Sequence, residues 1–122
     1  MKSIFSVLAA LLIGSSVYAA GPNFAERVAS AMTGTHRADE NKARDQYRHP
    51  AETLAFFGIE DGMTVMEIWP GSGWYTEILA PYLGGSGRLI AAAPSGKGAE
   101  SMAKRFDANP ALYGKVERVN FP

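Results

Sequence analysis

The stretch that decides the fold runs from Met63 to Leu83, M-T-V-M-E-I-W-P-G-S-G-W-Y-T-E-I-L-A-P-Y-L. It opens on an apolar run, Met63 to Trp69, with one carboxylate, Glu67, near its end. Pro70-Gly71-Ser72-Gly73 interrupts the run, and Tyr75, Ile78, Leu79 and Tyr82 then recur at helical spacing over Trp74 to Leu83. Segments of those lengths read as a buried strand, a tight glycine turn and a helix. Glycine suits such a turn because it tolerates positive φ and because its missing Cβ lets a ligand approach the backbone. The first N–H groups of the following helix have no partner within it and carry partial positive charge. A strand, glycine loop and helix in this order predict the nucleotide-binding crevice of an open α/β sheet.

The loop narrows the choice of ligand. A dinucleotide fingerprint set on Gly71 and Gly73 puts Thr76 at its third position, and Leu89 to Pro94, where its acidic residue belongs, has none. That counts against a nicotinamide dinucleotide. No Gly-Lys-Ser/Thr follows the loop, which excludes a P-loop. What remains is an acid closing a strand ahead of two glycines, E-I-W-P-G-S-G-W from Glu67 to Trp74. This resembles the first motif of class I S-adenosylmethionine-dependent methyltransferases, with Trp69 at the first glycine position and Trp74 or Tyr75 at the last.

Upstream residues sharpen the resemblance. Arg44 to Leu83, which begins R-D-Q-Y-R-H-P-A-E-T-L-A-F-F-G, resembles a family of exported bacterial proteins predicted to be class I methyltransferases. That family shares the E-I-W-P-G loop, and a weaker likeness continues through N-P-A-L-Y-G-K-V, Asn109 to Val116. The resemblance implies a Rossmann-like fold and S-adenosylmethionine as cofactor. It places Glu67, Trp69, Gly71, Ser72, Gly73, Trp74 and Tyr75 at the cofactor, with Glu67 toward its methionine end. Members of the class usually close the second strand with an acid that holds the ribose hydroxyls. Here Leu89-Ile90-Ala91-Ala92-Ala93-Pro94 has no acid, and Ser95 is the neutral group placed to substitute.

Each of these residues also has a structural reading. Glu67 can cap the turn or the helix after it, and Gly71 and Gly73 form the turn whether or not a ligand comes close. Trp69, Trp74 and Tyr75 either wall a pocket or pack in the core. His49 is a candidate general base, but it sits beside Arg44, Asp45 and Arg48. We read that cluster as a structural ion pair or helix cap, and His36 in its polar loop as solvated. Two histidines without a carboxylate pattern predict no metal site, and no catalytic residue is assigned.

Working outward, Met1 to Ala19 reads as a secretory signal: Lys2, an apolar stretch from Ile4 to Ile13, and Val17-Tyr18-Ala19 before the cleavage point. The apolar stretch is short for a membrane span. The chain has no cysteine, which excludes disulfides, a thiol nucleophile and thiolate-bound metal. Twelve Lys+Arg balance 12 Asp+Glu, so no electrostatic case exists for nucleic acid or an anionic membrane. Helices are expected over Phe24 to Met32 with Asn23 as N-cap, over Glu40 to Tyr47, and over Pro50 to Phe57 with Gly58 at its end. Leu54, Phe56 and Phe57 are expected to face a core. Strands are expected over Arg88 to Ala93 and Lys115 to Phe121, with a helix from Ala99 to Ala108 ended by Asn109-Pro110.

The organisation expected is therefore a signal peptide (1–19), a helical segment (20–62) and the first half of a Rossmann-like methyltransferase domain (63–122). The fold class is α/β, helices followed by β-α-β-α-β. A bare edge on the first strand invites pairing with another chain. We read the sequence as part of a longer frame, with a half-length protein dimerising through that edge as the alternative. The function expected is an exported, periplasmic S-adenosylmethionine-dependent methyltransferase-like protein. The competing expectation is an exported binding or scaffold protein that keeps the fold without the chemistry.

Overall fold

The computed structural model describes residues 23–122, so the signal assigned to 1–19 lies outside the described residues. Nine elements follow in order: α1 (Phe24–Thr33), α2 (Asp39–Arg48), α3 (Pro50–Phe56), β1 (Thr64–Ile68), α4 (Thr76–Leu83), β2 (Arg88–Pro94), α5 (Lys97–Ala108), α6 (Pro110–Tyr113) and β3 (Glu117–Phe121). The three strands form one parallel sheet in the order β1-β2-β3, with Val65 opposite Leu89 and Ala92 opposite Val119. This is the expected Rossmann-like α/β arrangement. Among the described residues no helix is long and apolar enough to cross a membrane.

Parallel βαβ crossovers share one hand, so α4 and α5 fall on the same face of the sheet. Burial follows that geometry. Leu89, Ala91 and Ala93 of β2 are buried in one core with Ile78, Leu79, Tyr82 and Leu83 of α4 and with Met102 and Phe106 of α5. The alternate residues of β1 point the other way: Met66 and Ile68 are exposed, Ile68 at 70%. Helix α1 packs its Phe24, Val28 and Ala31 stripe on α4, with the Phe24 ring edge-on to Tyr82 at 5.6 Å.

Three local expectations change. Asn23 holds the N-cap position of α1, but its side chain makes no capping hydrogen bond. Leu54 is buried, whereas Phe56 (85% exposed) and Phe57 face solvent, because adjacent residues at a helix end cannot share its inner stripe. Asn109-Pro110 ends α5 and also starts α6: the Asn109 side chain accepts from the Leu112 N–H at 3.3 Å, and Pro110 takes the first helical position.

Helix α4 contains a proline, and the structure shows how that is tolerated. Pro81 has no N–H to give the carbonyl of Glu77, four residues earlier. His36 Nε2 lies 2.8 Å from that carbonyl and donates to it. The expected solvated histidine is therefore half-buried and supplies the missing donor.

Candidate functional site

At the carboxyl ends of β1 and β2 lies a cleft of about 420 Å³. One wall is the loop Trp69-Pro70-Gly71-Ser72, the floor is Ala93-Pro94-Ser95 at the end of β2, and the other wall is Gly98, Ser101 and Met102 of α5. The lining has no charged side chain; its polar side chains are three serines and Trp69, whose indole carries one N–H.

The loop takes its shape from left-handed residues. Trp69 (φ +58), Gly71 (φ +57) and Gly73 (φ +78) all have positive φ. Trp69 extends the ladder of β1, its N–H donating to the Ala92 carbonyl at 2.7 Å, before the chain turns away. A turn closes with the Gly73 N–H donating to the Pro70 carbonyl at 2.8 Å. The two glycines differ in what lies beside them. A Cβ on Gly71 would meet only the Trp69 carbonyl, at 4.0 Å, so that side is open. A Cβ on Gly73 would meet Arg105 Nη1 at 3.5 Å and Thr76 at 3.6 Å, so that glycine faces protein.

Of the residues expected at a cofactor, Trp69, Gly71 and Ser72 line the cleft. Trp69 is 69% exposed there and takes no part in the core. Trp74 is 2% exposed, with its indole N–H donating to the Asn41 carbonyl at 2.9 Å and the Arg48 guanidinium 4.7 Å above its ring. It anchors α2 to the loop. Tyr75 is half-buried against Trp74, rings edge-on at 4.5 Å. Glu67 points to the start of α4, where the Thr76 hydroxyl donates to Oε2 at 2.5 Å. Among the charged neighbours of His49, Asp45 pairs with Arg37. His49 itself is exposed in a left-handed conformation (φ 44) that terminates α2, with Glu52 3.9 Å away.

Burial raises the Glu67 carboxyl above the ordinary glutamate value of 4.5, and the Thr76 hydroxyl and N–H oppose part of that rise. The folded chain thus holds this proton to higher pH than the unfolded chain does. Its contribution to stability is largest below 4.5 and falls as pH rises through the raised value. Glu67→Gln keeps an acceptor for Thr76 and abolishes the titration. The stability of that variant relative to the natural chain is expected to grow from about pH 4 to about pH 7 in urea titrations. A difference independent of pH would mean that folding does not desolvate this carboxylate.

A charged network behind the loop was not anticipated from sequence. Glu77 of α4 is 0% exposed, and its Oε1 accepts from the Ala38 N–H at 3.3 Å and from Arg105 Nη2. Arg37 Nε lies 3.5 Å from Glu77 Oε2, without hydrogen-bond geometry, so both atoms are buried with only Coulomb attraction between them. Arg37 also grips Asp45 of α2 through two hydrogen bonds, at 2.5 and 2.9 Å. Arg105 Nη1 donates to the Ser72 carbonyl of the cleft loop. The Tyr113 phenol, pushed up by burial, is partly drawn back by the same guanidinium. The sequence holds one hint of this hub: Pro81 deprives the Glu77 carbonyl of its helical donor, so another part of the chain has to approach there.

No family model matches the chain, and no curated protein matches it. Among solved structures, the fold is similar to a chain from Klebsiella pneumoniae described as a "putative O-methyltransferase", with TM-score 0.48 and 18% identity. The similarity covers 92% of this chain and 46% of that one, so this chain spans less than half the length of that structure. At that level of likeness the chemistry has to be argued from this chain's own residues.

Proposed function

We propose that the cleft binds S-adenosylmethionine and that the chain is a methyltransferase-like unit. The observation carrying this reading is Gly71: a left-handed glycine between β1 and α4, open on the side of a concave cleft at the carboxyl ends of parallel strands. The lining suits the group. Ala93, Pro94 and Met102 offer apolar surface to a purine, and Ser72, Ser95 and Ser101 offer hydroxyls to ribose or to the amino-acid end. When bound, S-adenosylmethionine supplies an electrophilic methyl group. The chain's part is to hold it in position for an acceptor, since orientation carries most of such a reaction. With no carboxylate in the lining, ribose is held without charge assistance and the affinity is modest. Titration calorimetry with S-adenosylmethionine and S-adenosylhomocysteine tests this, and saturable heat is expected. A folded protein giving no heat at millimolar ligand would leave the exported scaffold, which the missing acid after β2 favours.

From Lys2, the apolar stretch Ile4 to Ile13 and Val17-Tyr18-Ala19 we also propose export from the cytosol, with Ala20 as the first residue after signal removal. The uncovered outer edge of β1, beside exposed Met66 and Ile68, is proposed as a surface for self-association. One preparation from cells tests both. An intact mass starting at Ala20 and a concentration-dependent sedimentation coefficient are expected. A retained Met1 in the soluble fraction would remove the export assignment, and a monomer at every concentration would remove the pairing.

A further inference from the structure

We propose that Arg105 is the positioning residue of the cleft, a strut that sets the distance between its two walls. It stands on α5 one turn beyond Ser101 and Met102, which form one wall, and its Nη1 donates to the carbonyl of Ser72 in the other. The guanidinium reaches this carbonyl by passing Gly73, whose absent Cβ would stand 3.5 Å from Nη1. The side of the second loop glycine is thus occupied by a protein cation rather than left open to a ligand. The second arm of the fork, Nη2, is held by the buried Glu77 carboxylate, which the Ala38 N–H also holds in place. A planar fork binding two acceptors at once fixes the plane of the Ser72–Gly73 peptide, and with it the aspect that Gly71 and Ser72 present to the cleft. Lysine, a single point charge, cannot make both contacts in that geometry.

The proposal rests on the S-adenosylmethionine reading for one of its three readouts only. The full chain and three variants, Arg105→Lys, Arg105→Met and Arg105→Met with Glu77→Gln, are compared by thermal melting, by hydrogen exchange of the amides of residues 69–74, and by titration with S-adenosylmethionine. Arg105→Met is expected to lower the melting temperature, because it strands Glu77. The double variant removes the stranded charge and regains most of that loss. Loop amides are expected to exchange at least tenfold faster in both, and ligand affinity to fall at least tenfold in both. Arg105→Lys, which keeps the charge and the fold, is expected to show the faster loop exchange with little change in melting. Recovery of loop protection along with stability in the double variant would overturn the proposal, leaving Arg105 as no more than a counter-ion for Glu77. Unchanged loop exchange in Arg105→Lys would do the same. If the natural chain binds no S-adenosylmethionine, the ligand reading falls and the exchange data alone decide the strut.

Discussion

Glu77→Ala is expected to cost about 3 kcal/mol of stability, at the low end of the range for breaking a buried ion pair. The low end applies because Arg37 keeps Asp45, and Arg105 has partial access to solvent. The loss still exceeds that from any surface change, since Arg37 has a fully buried side chain and its Nε, with no hydrogen-bond partner, lies 3.5 Å from Glu77 Oε2. Small domains have a total stability of about 5–15 kcal/mol, so the variant sits near the edge of unfolding at physiological temperature. Glu77→Gln retains an acceptor for the Ala38 N–H and for Arg105, and should lose clearly less. Urea denaturation followed by circular dichroism compares the three proteins. Equal midpoints for the natural chain and Glu77→Ala would mean that the network is not formed in solution.

Gly71→Val is expected to abolish S-adenosylmethionine binding with the fold intact, whereas Gly73→Val should damage the fold itself. Both glycines are left-handed, and a β-branched residue there costs about 1–3 kcal/mol. Beyond that shared cost they part. At Gly71 a new Cβ would have nothing within 4 Å except the Trp69 carbonyl, so a valine there is expected to fit beside the cleft and compete with a ligand. At Gly73 a Cβ would already touch Arg105 Nη1 and Thr76, at 3.5 and 3.6 Å, so the further methyls of valine are expected to add about 1–3 kcal/mol of overpacking. Calorimetric titration and melting of the two variants separate these cases. Undiminished affinity in Gly71→Val would remove this loop from the binding site.

The strand, loop and helix were legible because local signals agreed: an apolar run of strand length, turn-forming glycines, and helical recurrence of large side chains. Parallel order followed, since α4 and α5 are long enough to serve as crossovers. The residues behind the cleft were not legible for a physical reason. Glu77 sits between Thr76 and Ile78 and looks like the polar face of an amphipathic helix; its burial is imposed by Arg37 and Arg105, far away in sequence. Trp74 and Trp69 were ambiguous because an indole serves equally in core and pocket, and only the left-handed turn at Trp69 places one outward and the other inward. His49 shows the limit of the pre-proline rule. The residue before Pro50 is expected to be extended, yet it is left-handed, because the tight junction of α2 and α3 requires a reversal there.

The position of Glu77 also bears on how the chain assembles. Strands adjacent in sequence pair with each other, β1 with β2 and β2 with β3, so each crossover closes within one β-α-β unit. The unit β1–α4–β2 by itself leaves Glu77 uncovered, because the segments that bury this carboxylate lie elsewhere in the sequence. Arg37 arrives from the helical segment before it and Arg105 from the helix after it. Each flank on its own would cover the carboxylate with only part of its partners in place. A single buried side chain thereby ties three stretches of sequence together, which favours their folding as one cooperative unit.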